Sequence, residues 1–539
     1  MTISPPGSPP ATPPGASPGL RFSSTAGRWV VAVTVLGSAI AAIDSTVVGI
    51  ALPAIGRNFH MSVSSLQWVV SAYLLALAGL LLVGGALGDR FGRRRVFIIG
   101  VVSFALTSLV CAAAPNSGLL ITGRALQGVG AALLTPGSLA ILRGSFTADD
   151  QGAAIGAWSG LGGVATAIGP FLGGFLISAV SWRLIFLINF PISVVVVVMA
   201  ARHVPESTDP TAGGRVDLLG ALLVSAGLVG LTAGIIDAPS HGWGSTTVVG
   251  SLLGGAVALA AFVVVEGRTP HPILPLGIFR SKQFTSTNVV TFLVYAALSG
   301  ALFLLPIQLE EVARYSPLEA GASLLPLTVI MLMFSARSGA LASRIGPRLQ
   351  MAVGPVLVGA GMVLFRLVGP SGDYFTEVLP PILVLGAGLA LTVAPLTTTA
   401  LSSAPSDHAG VASAVNNDVA RAGGLIAVAV LPVVSGITGA TYLHPLELTA
   451  GFHTAVVVSG VAAAAGGLLA ALLIRNPRRP APATLPAGAE ATTDTAPAPT
   501  PGTTRAPTAA VVHCGLEAPP MAAAASGTTP TPRGATMEP

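Results

Sequence analysis

Residues 85–95 read Gly-Ala-Leu-Gly-Asp-Arg-Phe-Gly-Arg-Arg-Arg, a charged stretch in an otherwise apolar part of the chain. Apolar runs near 64–85 and 96–114 flank this stretch. Each run is about as long as the roughly 20 apolar residues that a helix needs to cross a bilayer. The stretch therefore reads as a short, strongly basic turn between two membrane-spanning helices.

The composition of the whole chain is that of a membrane protein. Of its 539 residues, 52% are hydrophobic and 9% are charged, and the mean hydropathy is +0.80. A water-soluble protein of this size needs a more polar surface, so we expect lipid to surround most of the chain. The net charge of +5 comes from arginines in short turns, which favours the lipid bilayer and not nucleic acid as the partner.

Fourteen apolar runs are long enough to be membrane spans, which we number in chain order. They lie near 29–55, 64–85, 96–114, 118–143, 152–178, 183–204, 217–238, 245–266, 284–309, 318–343, 350–368, 375–401, 409–437 and 452–474. The sequence therefore predicts an all-α polytopic membrane protein.

Basic residues in the connecting loops orient the spans. Twelve of them lie in loops after even-numbered spans and three in loops after odd-numbered spans. Cytoplasmic loops carry an excess of Lys and Arg, so we expect the even loops and both termini to be cytoplasmic. The Arg- and Ala-rich composition is typical of a bacterial chain and favours the plasma (inner) membrane.

The basic turn has a second copy after span 10, where residues 339–348 read Gly-Ala-Leu-Ala-Ser-Arg-Ile-Gly-Pro-Arg. Ser343 stands in this copy where Asp89 stands in the first. Repeats of this kind are typical of transporters in which two bundles move about a central site. The repeat predicts a six-helix bundle over 29–204, two inserted helices over 217–266 and a second six-helix bundle over 284–474.

The chain ends are polar and rich in Pro. Residues 1–28 and 475–539 hold few large apolar side chains. Burial of such segments does not offset the entropy lost on ordering, so we expect two disordered cytoplasmic tails.

The motifs together resemble a known family. Residues 85–95 are similar to the loop signature of the major facilitator superfamily, and residues 43–53 resemble the first-helix signature of its fourteen-helix drug:proton antiporter branch. Gly49 departs from that signature, which usually has Asn there. Further similar motifs occupy 124–128 in span 4, 156–174 in span 5 and 181–191 at the start of span 6.

Asp44 is the first candidate for chemistry because it lies about fifteen residues into span 1, roughly 22 Å along a helix. An aspartate at mid-membrane is unfavourable by about 2.5–3.5 kcal/mol, which favours its neutral form and suits a proton carrier. The alternative is a structural hydrogen bond to Ser45, Thr46 or another helix. Arg124 needs a partner, for which Asp44 is a candidate, and Gln127 shares its helix face. The resemblance implies a role for Arg124 in proton transfer; snorkelling to an interface is the alternative.

Asp418 and Arg421 in span 13 are the second candidates for proton or substrate binding. Their spacing also allows a purely structural ion pair within the helix.

Two glycine-rich segments complete the predicted site. The family resemblance implies that the loop of residues 85–95 is a cytoplasmic gate. The alternative is that its arginines only fix the membrane topology. The candidate gate residues are Gly85, Gly88, Asp89, Arg90, Gly92, Arg93 and Arg94. Small residues in span 5 allow close helix contact, and a proline there suits a hinge, with plain packing as the alternative. These hinge candidates are Gly156, Gly169, Pro170, Gly173 and Gly174.

The sequence favours a proton-coupled secondary antiporter that exports small amphiphilic compounds, such as drugs or antibiotics, by alternating access. We expect no enzyme activity, no metal site, no cofactor besides the coupling proton, and a monomer. The only lysine, Lys282, lies outside any Gly-Lys-Ser/Thr phosphate-binding loop, which argues against ATP hydrolysis. The alternatives are a metabolite carrier of narrow specificity, for uptake or efflux, and a membrane-embedded enzyme or sensor.

Overall fold

A computed structural model describes residues 19–208, 217–269, 272, 274–404, 409–476, 511–513 and 520–522. Within this part, fourteen spans are long and apolar enough to cross a membrane, which confirms the predicted number. Most residues of 1–28 and 475–539 lie outside the described part, and the disorder expected for them stays a prediction. The described residues among them include 25–28, which begin a helix, and two short strands.

The fourteen spans of the described part contain sixteen α-helices. The first six spans comprise α1 (Thr25–Phe59), α2 (Val63–Phe91), α3 (Arg93–Ala113), α4 (Ser117–Ser145), α5 (Ala148–Ala179), α6 (Leu184–Leu187) and α7 (Asn189–His203). The inserted pair is α8 (Leu218–His241) and α9 (Thr246–Glu266). The last six spans comprise α10 (Lys282–Glu311), α11 (Pro317–Ser323), α12 (Leu325–Ile345), α13 (Arg348–Leu364), α14 (Leu379–Ser402), α15 (Ala409–Val434) and α16 (Pro445–Leu473).

Two predicted spans are each divided into two helices. Span 6 consists of α6 and α7, and span 10 consists of α11 and α12. A proline in the first turn of α12 accompanies the second break. Outside the spans, β1 (Val511–His513) and β2 (Pro520–Ala522) pair as a short antiparallel ladder.

The two copies of the basic turn adopt the same backbone geometry. Gly92 ends α2 with φ of 109°, and Gly346 ends α12 with φ of 89°. Residues with a side chain rarely adopt such angles, so glycine at these two positions allows the chain to leave one helix and enter the next.

Helix packing repeats between the two halves of the molecule. In the first half α1 packs on α5 and α7, α2 packs on α4, and α3 packs on α4 and α7. In the second half α10 packs on α15 and α16, α12 packs on α14, and α13 packs on α14 and α16. The fold is therefore two six-helix bundles with the same internal arrangement, plus an inserted pair, as the repeat predicts.

The inserted helix α8 contacts both bundles. It packs on its partner α9, along α2 of the first half, and against α15 of the second half. Leu228 of α8 belongs to one buried apolar cluster with Leu75 of α2 and Leu425 of α15. Helix α8 thus covers one seam between the halves, and α9 packs on α8.

The halves are joined at one end of the molecule. We call the end that carries residues 85–95 the arginine-rich end and the other the opposite end. At the opposite end the backbone N–H of Val63 donates to the carbonyl of Gly439 (2.9 Å), and the Tyr442 hydroxyl donates to the carbonyl of Met61 (2.7 Å). These bonds hold the first half against the second there.

An ion cluster and a close helix crossing add to this contact. Arg57 at the end of α1 pairs with Glu310 of α10 at 3.1 Å and also with Glu311. Helix α5 crosses α11 so closely that a Cβ on Gly174 would lie 2.3 Å from the carbonyl oxygen of Pro317. Glycine is therefore required where these two helices of different halves meet.

Candidate functional site

A cavity of about 260 Å³ lies between the two halves. Its lining comes from both: α1, α2, α4 and α5 on one side, and α10, α12, α14 and α15 on the other. The lining is mostly apolar, and its volume is near the lower end of the roughly 300–1,000 Å³ typical of pockets for drug-sized ligands. Gly49 faces this space, since a Cβ there would meet nothing within 4 Å. The cavity is the natural place for a small amphiphilic ligand.

A buried ion pair lies beside the cavity. Nη1 of Arg124 on α4 lies 2.5 Å from Oδ2 of Asp44 on α1, and the two side chains are 1% and 0% exposed. Arg124 also lines the cavity. The structure thus brings together two residues that are 80 positions apart in sequence.

Amide and hydroxyl groups complete the environment of the Asp44 carboxylate. Its Oδ1 atom accepts hydrogen bonds from Nε2 of Gln127 (2.9 Å) and from Nδ2 of Asn189 (3.1 Å). Both amides also donate to the hydroxyl of Ser108, at 2.8 Å and 3.4 Å. Four helices, α1, α3, α4 and α7, therefore contribute to one polar cluster inside the first half.

The guanidinium of Arg124 is held by further groups. Its Nε donates to the carbonyl of Val69 (3.1 Å), and its Nη1 donates to Oε1 of Gln127 (2.6 Å). The Tyr73 ring lies 4.3 Å from its central carbon, and the Phe186 ring lies 5.8 Å away. A planar, permanently charged group suits this combination of fork-like bonds and ring contacts.

The charges of the cluster balance each other. While Asp44 is ionised, its charge balances that of Arg124 and every donor aimed at it is satisfied. A proton on Asp44 would remove this balance and leave a buried guanidinium without its counter-ion, which is strongly unfavourable.

The predicted residues of span 13 separate in the structure. Arg421 lines the cavity together with Asn416 and Asn417, whereas Asp418 does not. Oδ1 of Asp418 is buried and accepts no hydrogen bond from any described residue. The purely structural ion pair that the spacing of Asp418 and Arg421 allows is not formed in the described structure.

The glycines of span 5 serve two different contacts. A Cβ on Gly169 would lie 2.0 Å from Oγ1 of Thr46, and one on Gly173 would lie 2.8 Å from Val47, so these two pack α5 on α1. Gly174 faces α11 of the other half instead, as described above. Of the other two candidates, Pro170 lines the cavity without ending the helix. Gly156 is half-buried in α5.

The loop at the arginine-rich end is held by an ion pair within itself. Asp89 pairs with Arg93 at 2.8 Å, and not with Arg90, whose guanidinium lies 5.4 Å from the Phe91 ring. The turn at Gly92 carries Arg93 back toward Asp89, while Arg90 stays exposed. Gly85 and Gly88 meet no atom closer than 3.6 Å and 4.0 Å at the position of a Cβ.

Glu206, which follows α7, fixes the start of α3. Its Oε1 accepts the backbone N–H of Arg94 at 3.0 Å, and Oε2 lies 3.7 Å from Nε of Arg94 and 3.6 Å from Nε of Arg95. A Cβ on Gly92 would lie 2.7 Å from Oε1 of Glu206. Because a carboxylate is favoured at a helix N-terminus, Glu206 ties the loop to the segment that precedes the inserted pair.

Sequence reasoning assigned no role to several of these residues. Asn189 donates to Asp44, and the Ser108 hydroxyl accepts from the amides of Gln127 and Asn189. Tyr73 contacts Arg124, and Glu206 contacts Arg94 and Arg95. A polar residue inside an apolar run was the available signal for Asn189 and Ser108. Across the described residues, no group of three His, Cys, Asp or Glu side chains is placed to hold a metal ion.

Comparison with known proteins identifies the family. Residues 34–428 match the model of the Major Facilitator Superfamily. The chain is 36% identical over 400 residues to the tetracenomycin C resistance and export protein of Streptomyces glaucescens, covering 74% of each chain. It is 34% identical over 459 residues to the methylenomycin A resistance protein of Bacillus subtilis, covering 84% of this chain and 95% of that one.

Solved structures share the fold. The POT family transporter PepTSo has a TM-score of 0.62 at 15% identity, with 82% of this chain and 97% of that one covered. A bacterial homologue of the lysosomal transporter Spinster has a TM-score of 0.58 at 17% identity, with 84% and 98% covered. The chain is thus a multi-pass membrane transporter for small molecules and not an enzyme, and it belongs to the major facilitator superfamily.

Proposed function

We propose that this transporter exports small amphiphilic compounds by alternating access and that inward proton flow drives the export. The observation that carries the proposal is the Asp44–Arg124 ion pair, which is shielded from solvent yet adjoins the cavity between the halves. The relatives named for resistance to tetracenomycin C and methylenomycin A support antibiotic-like compounds as substrates.

Coupling follows from the competition for Arg124. A proton reaching Asp44 neutralises the carboxylate and frees the guanidinium, which then changes the charge of the cavity wall. Loss of the proton from Asp44 restores the ion pair with Arg124 and the original charge of the cavity wall. The substrate in the cavity and the proton on Asp44 therefore both act on Arg124. Because the state of Arg124 depends on both, binding of one affects binding of the other, as an exchange mechanism requires.

The contacts between the halves support a transport direction. If the arginine-rich end is cytoplasmic, as the excess of basic residues there favours, the contacts of Arg57, Val63 and Gly174 close the molecule toward the outside. The described conformation then presents its cavity to the cytoplasm. Residues 85–95, fixed by Asp89–Arg93 and Glu206, act as the gate at the cytoplasmic end.

The remaining features of the proposal concern the cell. The protein lies in the plasma (inner) membrane with both termini in the cytoplasm and works as a monomer, without nucleic acid and with the proton as its coupling ion. The two rocking units are the bundles over 29–204 and 284–474, and the pair over 217–266 packs along their seam.

Everted membrane vesicles test the proposal. An imposed pH gradient is followed after adding cationic, neutral and anionic amphiphiles, with vesicles from cells lacking the protein as the baseline. We expect some compounds to dissipate the pH gradient and the Asp44→Asn variant to lose this dissipation. If no compound dissipates the gradient, proton-coupled export is excluded for that panel and a different coupling ion or a narrow metabolite carrier takes its place.

A further inference from the structure

The wall of the cavity has an unusual distribution of charge. The described residues that line the cavity number 32, and they include two arginines, Arg124 and Arg421, but no aspartate or glutamate. The remaining lining is apolar or carries neutral polar groups. The fixed charge that a ligand meets is therefore positive.

The two arginines differ in how they are neutralised. Arg124 is paired with Asp44 at 2.5 Å. Arg421 makes no hydrogen bond, ion pair or ring contact with any residue that the structure describes. Asp418, one turn earlier on α15, forms no ion pair with it and is absent from the lining. Arg421 is thus a cation that no described residue engages in a direct hydrogen bond or ion pair, and the buried Asp418 acts on it only through space.

Helix α15 is anchored so that Arg421 faces the cavity. Nδ2 of Asn416 donates to Oδ1 of Asn288 (3.1 Å) and to Oγ1 of Thr291 (2.8 Å), both on α10. Asn417 and Arg421 are four residues apart and therefore lie on one helix face, and both line the cavity. Together they offer a guanidinium and an amide to the same ligand.

We infer that the cavity takes amphiphilic organic anions, whose acidic group binds Arg421 beside Asn417 while the apolar body fills the space between the halves. The inference rests on the proposed function, because it names the class of compound that the exporter carries. A guanidinium fork matches a carboxylate in two parallel hydrogen bonds. A cationic compound would meet the guanidinium of Arg421 and find no carboxylate among the described residues of the wall.

Equilibrium binding tests the inference without any gradient. The full-length protein in detergent is titrated at pH 7 with three fluorescent probes of one shape: 9-anthracenecarboxylate, 9-anthracenecarboxamide and 9-(aminomethyl)anthracene. Fluorescence anisotropy gives each dissociation constant. The carboxylate is expected to bind more tightly than the amide and the amine, by roughly 10- to 100-fold, as for hydrogen bonds to charged groups.

The Arg421→Gln variant assigns the preference to one side chain. It should reduce carboxylate binding to the level of the amide and leave the amide unchanged. The matched control is Arg337→Gln, which removes an arginine of α12 that bonds the carbonyl of its own helix residue Met333 and does not line the cavity. Arg337→Gln should keep the full preference for the carboxylate.

The outcomes separate this inference from the proposed function. Equal binding of the three probes, no binding of any, or an unchanged preference in Arg421→Gln would overturn the anion site. Binding selective for the carboxylate in a protein that dissipates no pH gradient would keep the site and remove proton coupling. Proton-coupled export without a charge preference would keep proton coupling and remove the anion site.

Discussion

Oδ2 of Asp44 on α1 lies 2.5 Å from Nη1 of Arg124 on α4, and neither side chain is more than 1% exposed. The pair therefore joins two helices inside one half and places an ionisable group next to the cavity. A change in the charge of Asp44 acts on Arg124 directly, and through it on the cavity wall.

Arg124→Lys should abolish most of the coupled transport. A lysine has one nitrogen, so it cannot bond Asp44, Gln127 and the carbonyl of Val69 as the guanidinium does. Losing one or two hydrogen bonds to a charged group predicts a fall in transport rate of about 10- to 100-fold. The assay is proton-driven efflux in everted vesicles. Arg337→Lys is the control, and an equal effect of the two variants would contradict the role of Arg124.

Arg57→Gln should weaken the closed opposite end more than Glu310→Gln does. Glu310 is 2% exposed, so removal of Arg57 leaves a buried carboxylate without its cation. We expect a loss of about 1–3 kcal/mol for Arg57→Gln. The double variant should recover part of this loss, since it removes the unpaired charge as well. The free energy of unfolding is measured for the purified single and double variants in a double-mutant cycle. Strictly additive effects on this free energy would show that the two residues do not interact.

Gly174→Ala should impair transport, whereas Gly162→Ala on the same helix should not. A Cβ on Gly174 would press on the carbonyl of Pro317 in the other half, while one on Gly162 would meet nothing within 4 Å. Overpacking at such a contact is unfavourable by about 1–3 kcal/mol. The check is the efflux rate of the Gly174→Ala and Gly162→Ala variants at equal expression. Equal tolerance of both substitutions would mean that α5 and α11 do not need this close crossing.

Gly92→Ala should destabilise the protein, and Gly88→Ala should be tolerated. Gly92 has φ of 109° and its Cβ position is blocked by Glu206 at 2.7 Å, but the nearest atom to a Cβ on Gly88 is 4.0 Å away. A strained backbone angle alone is worth about 1–3 kcal/mol. The check is the midpoint of thermal unfolding, and similar midpoints for both variants would argue against a rigid turn.

Much of the fold was predictable because hydropathy and the repeated basic turn depend on local sequence. The fourteen spans and the two bundles follow from such patterns. The division of span 10 near Leu324 was not predicted, since the apolar run continues through it.

The candidate site was predictable where a charge had to be buried. Asp44 and Arg124 stand out because ionisable groups inside apolar runs need partners. The identity of the partners was less accessible, since Asn189 comes from a helix 145 residues away from Asp44. Asp89 pairs with Arg93 and not with Arg90, and Glu206 joins the loop, because the turn at Gly92 decides which side chains meet.

The most direct test of the account measures two kinds of transport by the Asp44→Asn protein in liposomes. The compound that dissipates the gradient most strongly in vesicles is followed first under a pH gradient, and then in exchange against the same compound with no gradient. Asp44→Asn should lose gradient-driven accumulation and keep exchange, because the cavity remains while the proton site is gone. Full gradient-driven accumulation by Asp44→Asn would contradict Asp44 as the proton carrier.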